Sequence, residues 1–216
     1  KVAIVGAELE ENLGIRYMAS SLESKGHLVE IVPFNTECDI QDVVRKVISL
    51  SPEIAGLSMV FTGRGREFCN LAGALRDGGF RGHLTAGGPF ASFNCEALLR
   101  DFPDFDSIAL GEGETLFCTL AEHLDDLSQV PGLCYIKIDG SVITNPAIGE
   151  HDDLDALPFP KRTTFHSYFG KPIASILTSR GCWRNCAFCS INAWYDRVGG
   201  MKFRVRSVDN IVAEMK

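Results

Sequence analysis

Apolar residues arrive along the chain in two alternating rhythms. Short apolar runs at residues 2–6 and 28–34 mark strands, and a third at 53–61 lacks strict alternation, as expected when both faces are buried. Between them, apolar positions recur at helical spacing. Leu13, Tyr17, Ala19 and Leu22 mark a helix over residues 12–25 that Gly26 stops. Val43, Val44, Val47 and Ile48 mark one that Asp39 can cap and that runs to Ser49, and residues 65–77 form a third, ended by Gly78 and Gly79. The series continues with a strand at 83–86, a helix near 93–101, a strand at 106–110 and a helix at 114–127. Five strands taking turns with five helices predict an α/β domain over residues 1–130, a doubly wound parallel sheet covered on both sides.

After Val130 the rhythm changes. Residues 133–138 and 141–144 flank Asp139-Gly140, a pair that readily takes the positive φ angles of a tight turn and so predicts a hairpin. An extended connector follows, because Pro158 and Pro160 fix φ and forbid helix; the acidic run 152–155 within it reads as solvated. Residues 131–170 are thus hairpin and linker. A strand at 173–178, a cysteine loop directly after it and a helix from Val208 with Ser207 as cap make residues 171–216 the first strand–loop–helix unit of a second domain, with more units expected beyond Lys216.

Composition narrows the class. The net charge of −7, with 45% hydrophobic and 23% charged residues, describes a globular chain and argues against a general nucleic-acid or membrane surface. Two local basic groups stand out against that charge: Lys202, Arg204 and Arg206 could serve an anionic ligand, and Arg64 and Arg66 could receive a phosphate at a helix start. No charge-free run approaches the roughly 18 residues a membrane span needs, and no basic-then-apolar leader opens the chain at Lys1. The expected location is the cytoplasm, where eight cysteines read as thiols or metal ligands rather than disulfides.

The chemistry is concentrated in CWRNCAFC, where Cys182, Cys186 and Cys189 are spaced by three and then two residues. Structural zinc closes its tetrahedron with four Cys or His ligands, and the nearest candidate for the fourth is His166. A disulfide would leave an odd thiol. Iron–sulfur cubanes usually take four thiolates, so three would leave one iron without a protein ligand, an open position where chemistry can enter. Cys38, Cys69, Cys95, Cys118 and Cys134 sit among apolar neighbours without ligand spacing and read as core or surface fillers, and Trp194-Tyr195 reads as packing.

Residues 178–190, TSRGCWRNCAFCS, resemble the signature of the radical S-adenosylmethionine enzymes, whose CxxxCxxC loop follows the first strand of a partial (β/α)6 barrel. The resemblance implies that Cys182, Cys186 and Cys189 hold a [4Fe-4S] cluster, that the open iron chelates S-adenosylmethionine for reductive cleavage to a 5′-deoxyadenosyl radical, and that Phe188 lies beside the adenine. Residues 2–127 resemble the cobalamin-binding domain found ahead of the barrel in one branch of that family. If the sheet has the flavodoxin-like order 2-1-3-4-5, its crevice lies between strands one and three at their carboxyl ends. There, Ser58 matches a serine on the third strand and Gly87-Gly88 a glycine pair after the fourth. Asn12, Leu13, Val60 and Pro89 belong to the same segments, and Glu112 of GEGET opens the last helix near its positive end. One departure is that the turn after strand one reads GAELEENLG and lacks the histidine that coordinates cobalt in many cobalamin proteins; water, nothing, or a contact from this turn would take its place.

The implied function is cobalamin-dependent methyl transfer to an unactivated carbon or phosphorus centre of a small-molecule or natural-product-like substrate, with an electron donor such as flavodoxin or ferredoxin. Two alternatives stay open: a radical enzyme that forms rings or rearranges carbon without methyl transfer, and a non-catalytic iron–sulfur or zinc module.

Overall fold

In the computed structural model, which describes residues 1–147, 153–163 and 165–216, strand β1 (Val2–Gly6) leads into helix α1 (Leu13–Ser24). Asn12 starts that helix, its side chain accepting from the Ile15 N–H. Strand β2 (Val29–Pro33), helix α2 (Ile40–Leu50), strand β3 (Ile54–Ser58) and helix α3 (Gly65–Asp77) follow as the periodicity predicts. Strand β4 (His83–Gly87) comes next, then helices α4 (Pro89–Phe93) and α5 (Cys95–Asp101), strand β5 (Ser107–Ala109) and helix α6 (Gly113–Glu122).

The sheet is ordered β2-β1-β3-β4-β5 and parallel throughout that part. It is the doubly wound α/β sheet of the expected order. Helices cover both faces. On one side Val43, Val47, Leu71, Leu75 and Leu99 are buried, and on the other Ile15, Leu22, Leu116 and Leu120. Because both faces are dry, β1 is buried at every position and shows no alternation.

Several local expectations change. Asp39 does not cap α2. Its carboxylate accepts from the backbone N–H groups of Asn35 and Thr36, at 2.9 Å each, and these bonds hold it below the usual carboxylate range. The third strand ends at Ser58, not residue 61, because Met59 is the last residue whose N–H bonds to β4. Pro89 opens a short helix four residues earlier than expected, since proline suits a first helical position. The hairpin, strands β6 (Leu133–Ile136) and β7 (Val142–Thr144), does not belong with the linker. Strand β6 pairs antiparallel with β5 and carries the sheet to seven strands, covering an edge that five strands would leave open.

Among its described residues the connector is extended apart from one 3₁₀ turn and lies along α1: Leu154 and Leu157 pack on Tyr17, and the Lys161 N–H donates to the Arg16 carbonyl at 3.1 Å. Its acidic run is only partly solvated, because the Asp155 carboxylate accepts from the Ser207 N–H at 3.0 Å; Asp152 lies outside the described residues. Strands β8 (His166–Tyr168) and β9 (Lys171–Ile173) form a hairpin, and strand β10 (Ser179–Gly181) precedes the cysteine loop. The loop ends in helix α7 (Ile191–Val198). Strand β11 (Phe203–Val205) pairs antiparallel with β10, and helix α8 (Val208–Glu214) begins at Ser207, whose hydroxyl accepts from the Asn210 N–H. The strand–loop–helix unit is therefore present, but its strand is β10 rather than residues 173–178. A run of apolar residues becomes a strand only beside a partner; Thr178 meets one, its carbonyl accepting from the Arg206 N–H at 2.9 Å, but residues 174–177 pair with no strand among those described. No helix among the described residues is long and apolar enough to cross a membrane.

Candidate cofactor cleft and cysteine loop

Parallel order 2-1-3 leaves a crevice where the connections from β1 and β3 leave in opposite directions. A cleft of about 410 Å³ lies there, within the usual range for ligand sites. It brings together all eight residues singled out in the first domain. Asn12 and Leu13 stand at the start of α1, Ser58 and Val60 at the end of β3, Gly87, Gly88 and Pro89 between β4 and α4, and Glu112 before α6. Backbone forms much of the floor. Gly88 has φ of 97°, and a Cβ there would stand 2.9 Å from the Met59 carbonyl oxygen, so glycine is required.

The opposite wall is contributed by the far end of the chain. Leu177, Ser179, Arg180, Gly181, Trp194 and Tyr195 close over the crevice, and none of these was singled out for it from sequence. Arg180 is the residue with a detectable signal, a charge placed next to the cysteine motif. Trp194 is 7% exposed and its Nε1–H has no acceptor among the described residues. Mostly apolar walls, a backbone floor and a buried orphan donor suit a large ligand carrying carbonyl acceptors, so the residues present fit a cobalamin.

A neutral network of two acids and two arginines joins the walls. Arg180 donates to Glu112 at 2.7 Å and to Glu114 at 2.5 Å; Arg204 also pairs with Glu112, and the Tyr195 hydroxyl donates to Glu112 at 3.1 Å. Burial alone would raise the Glu112 carboxyl, but the hydrogen bond from Arg204 and the charges of both arginines leave it below the usual range. Burial and the Glu112 charge push the Tyr195 hydroxyl up to about 12. A second network ties α1 to the segment after the connector. Arg206 pairs with Glu214 and donates to the Tyr17 hydroxyl at 3.1 Å, while Arg162 donates to Glu11 and Glu214, both at 2.8 Å.

These contacts revise the basic clusters. Arg204, on β11, and Arg206, just beyond it, are buried and committed to Glu112 and Glu214; they do not form an anion patch. Lys202 pairs with Asp196 at 2.5 Å. Arg64 pairs with Glu67 at 2.8 Å, donates to the Phe34 carbonyl and stacks on Phe34 and Phe68. The turn after β1 is similarly occupied: Glu8 pairs with Arg16 at 2.5 Å, and the Asn12 side chain donates to the Ala7 carbonyl at 3.0 Å.

The cysteine loop is tethered at both ends. The Cys182 N–H donates to the Lys202 carbonyl at 2.8 Å, and the Asn192 side chain donates to the Arg184 carbonyl. Gly181, with φ of 80°, is where β10 passes so close to Lys202 that a Cβ would collide with its carbonyl oxygen. Between the tethers Cys186 and Cys189 are exposed, Cys182 is half-buried, and Phe188 is 93% exposed and outside the cleft. Among the described residues, no three Cys, His, Asp or Glu side chains are gathered as a metal site. The donor set still suits an iron–sulfur cluster by its chemistry: three accessible thiols on one short loop. The candidate fourth zinc ligand does not join them, since His166 Nε2 lies 3.8 Å from a Glu8 carboxylate oxygen. Of the other cysteines, Cys69, Cys95, Cys118 and Cys134 are buried and Cys38 is exposed.

Comparison with known proteins agrees with this architecture. Residues 2–121 match the B12 binding domain family. The chain belongs to that family. It is 26% identical over 212 residues to an uncharacterized methyltransferase, PH0819, of Pyrococcus horikoshii, covering 94% of this chain and 44% of that protein. It is 27% identical over 260 residues to the cytidylyl-2-hydroxyethylphosphonate methyltransferase of Streptomyces wedmorensis, covering 94% and 47%. The chain thus spans less than half the length of these relatives. Among solved structures, the radical S-adenosylmethionine methyltransferase TsrM from Kitasatospora setae, with cobalamin and a [4Fe-4S] cluster bound, superposes with a TM-score of 0.72 at 19% identity, over 99% of this chain and 44% of that one. At that identity the likeness speaks for the fold.

Proposed function

We propose that this chain is the cofactor-bearing part of a radical S-adenosylmethionine methyltransferase that uses cobalamin. The observation that carries the reading is continuity. Ser179, Arg180 and Gly181 form a wall of the cleft, and the next residue is Cys182, so the crevice and the thiol loop are one covalent step apart. Three of the matched relatives are named methyltransferases or a methylase, which supports the same reading, while two are named cyclases. Bound here, a [4Fe-4S] cluster would supply the electron that splits S-adenosylmethionine, and cobalamin would supply carriage of a methyl group.

The chain's own residues do the rest. Cys182, Cys186 and Cys189 hold iron and leave one iron for the sulfonium cofactor, and Phe188 offers an aromatic face for its adenine. Ser58, Gly87 and Gly88 let the cobalamin approach the backbone, with Asn12, Leu13, Val60, Pro89 and Glu112 around it. Trp194 and Tyr195, both buried, keep water from a site where it would quench a radical. The acceptor is a small molecule, the electron comes from a flavodoxin- or ferredoxin-type donor, and the setting is cytoplasmic.

Anaerobic reconstitution of the full-length protein tests this. About four irons per chain are expected, with reductive formation of 5′-deoxyadenosine and, once substrate is supplied, S-adenosylhomocysteine as a second product. A protein that binds a single zinc overturns the radical reading. Formation of 5′-deoxyadenosine without S-adenosylhomocysteine overturns methyl transfer in favour of ring formation or rearrangement.

A further inference from the structure

Arg180 stands two residues before Cys182 and grips two acids that open α6. Its side chain is 11% exposed and those of Glu112 and Glu114 are 10% and 5% exposed, so the group is withdrawn from water. Buried ion pairs of this kind contribute little net stability over an apolar replacement, yet they fix direction, and a guanidinium engaging two carboxylates fixes it in a plane. One arm of the fork ends on Glu112, which lines the cleft. The other end of Arg180 is the backbone of β10, which continues through Gly181 into the thiol loop. The loop start is otherwise held by single neutral hydrogen bonds, from the Cys182 N–H to the Lys202 carbonyl, from the Arg184 N–H to the Cys182 thiol and from the Asn192 side chain to the Arg184 carbonyl, and Arg204, on the same partner strand as Lys202's neighbour Phe203, ends on Glu112 as well.

We infer that the Glu112–Arg180–Glu114 fork is a positioning element that couples occupation of the cobalamin cleft to the order of the cysteine loop. The inference rests on the proposed cofactor reading and deepens it. A ligand that packs against Glu112 holds the fork, the fork holds β10, and β10 aims Cys182. Coupling is reciprocal, so iron in the loop must tighten cobalamin binding by the same factor.

Hydrogen exchange of the full-length protein, read by mass spectrometry over residues 179–189, separates the possibilities. In the wild type, saturating hydroxocobalamin should slow exchange of this segment by about tenfold, within the range of ordinary inter-site coupling. Arg180→Gln at saturating hydroxocobalamin should lose that transmitted protection, and Arg180→Lys, which keeps the charge and loses the fork, should retain only part of it. A purely structural role would change the melting temperature and leave the transmitted protection intact. Protection in Arg180→Gln equal to wild type overturns the inference. If the variant cannot be folded or saturated, the wild type decides, because iron loading that leaves hydroxocobalamin affinity unchanged overturns it as well. Failure of the wild type to bind cobalamin at all sinks the functional reading instead. The fork is then read without ligand, where Arg180→Gln should speed exchange of residues 179–189 and leave α2 unchanged; equal exchange overturns it.

Discussion

The cleft and the cysteine loop sit side by side and are built in opposite ways. The cleft is made of backbone turns at strand ends and of apolar side chains that the sheet packs regardless of ligand, so it exists before anything enters it. The loop is held by a few hydrogen bonds near its start and end, Cys186 and Cys189 are exposed and Cys182 half-buried, and among the described residues the three thiols are not gathered as a metal site. The contrast teaches where the free energy of each site comes from. A crevice at a topological switch point is a by-product of folding, whereas a thiolate site is completed by the metal, whose binding energy orders the ligands.

The largest effect expected is at the loop. Replacing Cys182, Cys186 and Cys189 together by Ala should take reconstituted iron from about four atoms per chain to none, while gel filtration still shows hydroxocobalamin retained; loss of both would break the distinction between the two sites. Gly181→Ala comes next. Its positive φ alone costs about 1–3 kcal/mol in a non-glycine residue, and the collision with Lys202 adds to that, so denaturant titration should show destabilisation and iron loading should fall. At the cleft, Gly87→Val should weaken hydroxocobalamin binding at least about tenfold, or about 1.4 kcal/mol. A Cβ at Gly87 meets Ala109 only at ordinary contact distance, so the fold should persist and an unchanged affinity would count against the crevice as the binding site.

The contact between the two sites should fail in acid. The Glu112 carboxyl is depressed in the folded chain, so its contribution is fully present above the ordinary glutamate pKa of about 4.3 and is lost as pH falls through the lower folded value. A red shift in Trp194 emission in that window, reduced in Glu112→Gln, would report it. The smallest effect is at Phe188. Because its ring is exposed, Phe188→Ala should change stability by no more than about 0.5 kcal/mol, and any loss of S-adenosylmethionine affinity would then belong to the adenine contact.

Much of the first domain was legible because its signals are local. Residues 65–77 were delimited at both ends by glycine and helical spacing, and β1 by an apolar run with Lys1 before it and a turn after it. The eight crevice residues were legible because sheet order makes their positions follow from where strands end. Failures came where identity depends on a distant partner. Residues 174–177 look like a strand and pair with none among the described residues. The hairpin looked separate and in fact covers an open edge. Arg204 and Arg206 looked like surface charge until Glu112 and Glu214 were found opposite them.

Sequence by itself determined the alternation of strands and helices, the glycines that let backbone approach a ligand, and the spacing of three thiols, since each is a property of residues near one another along the chain. Only the tertiary structure decided that the far end of the chain roofs the crevice and that Arg180 bridges roof and floor. The physical reason is desolvation: a charged side chain is driven into the interior only where an opposite charge awaits it, and Glu112, 68 positions away from Arg180, becomes its neighbour only when the whole sheet has folded.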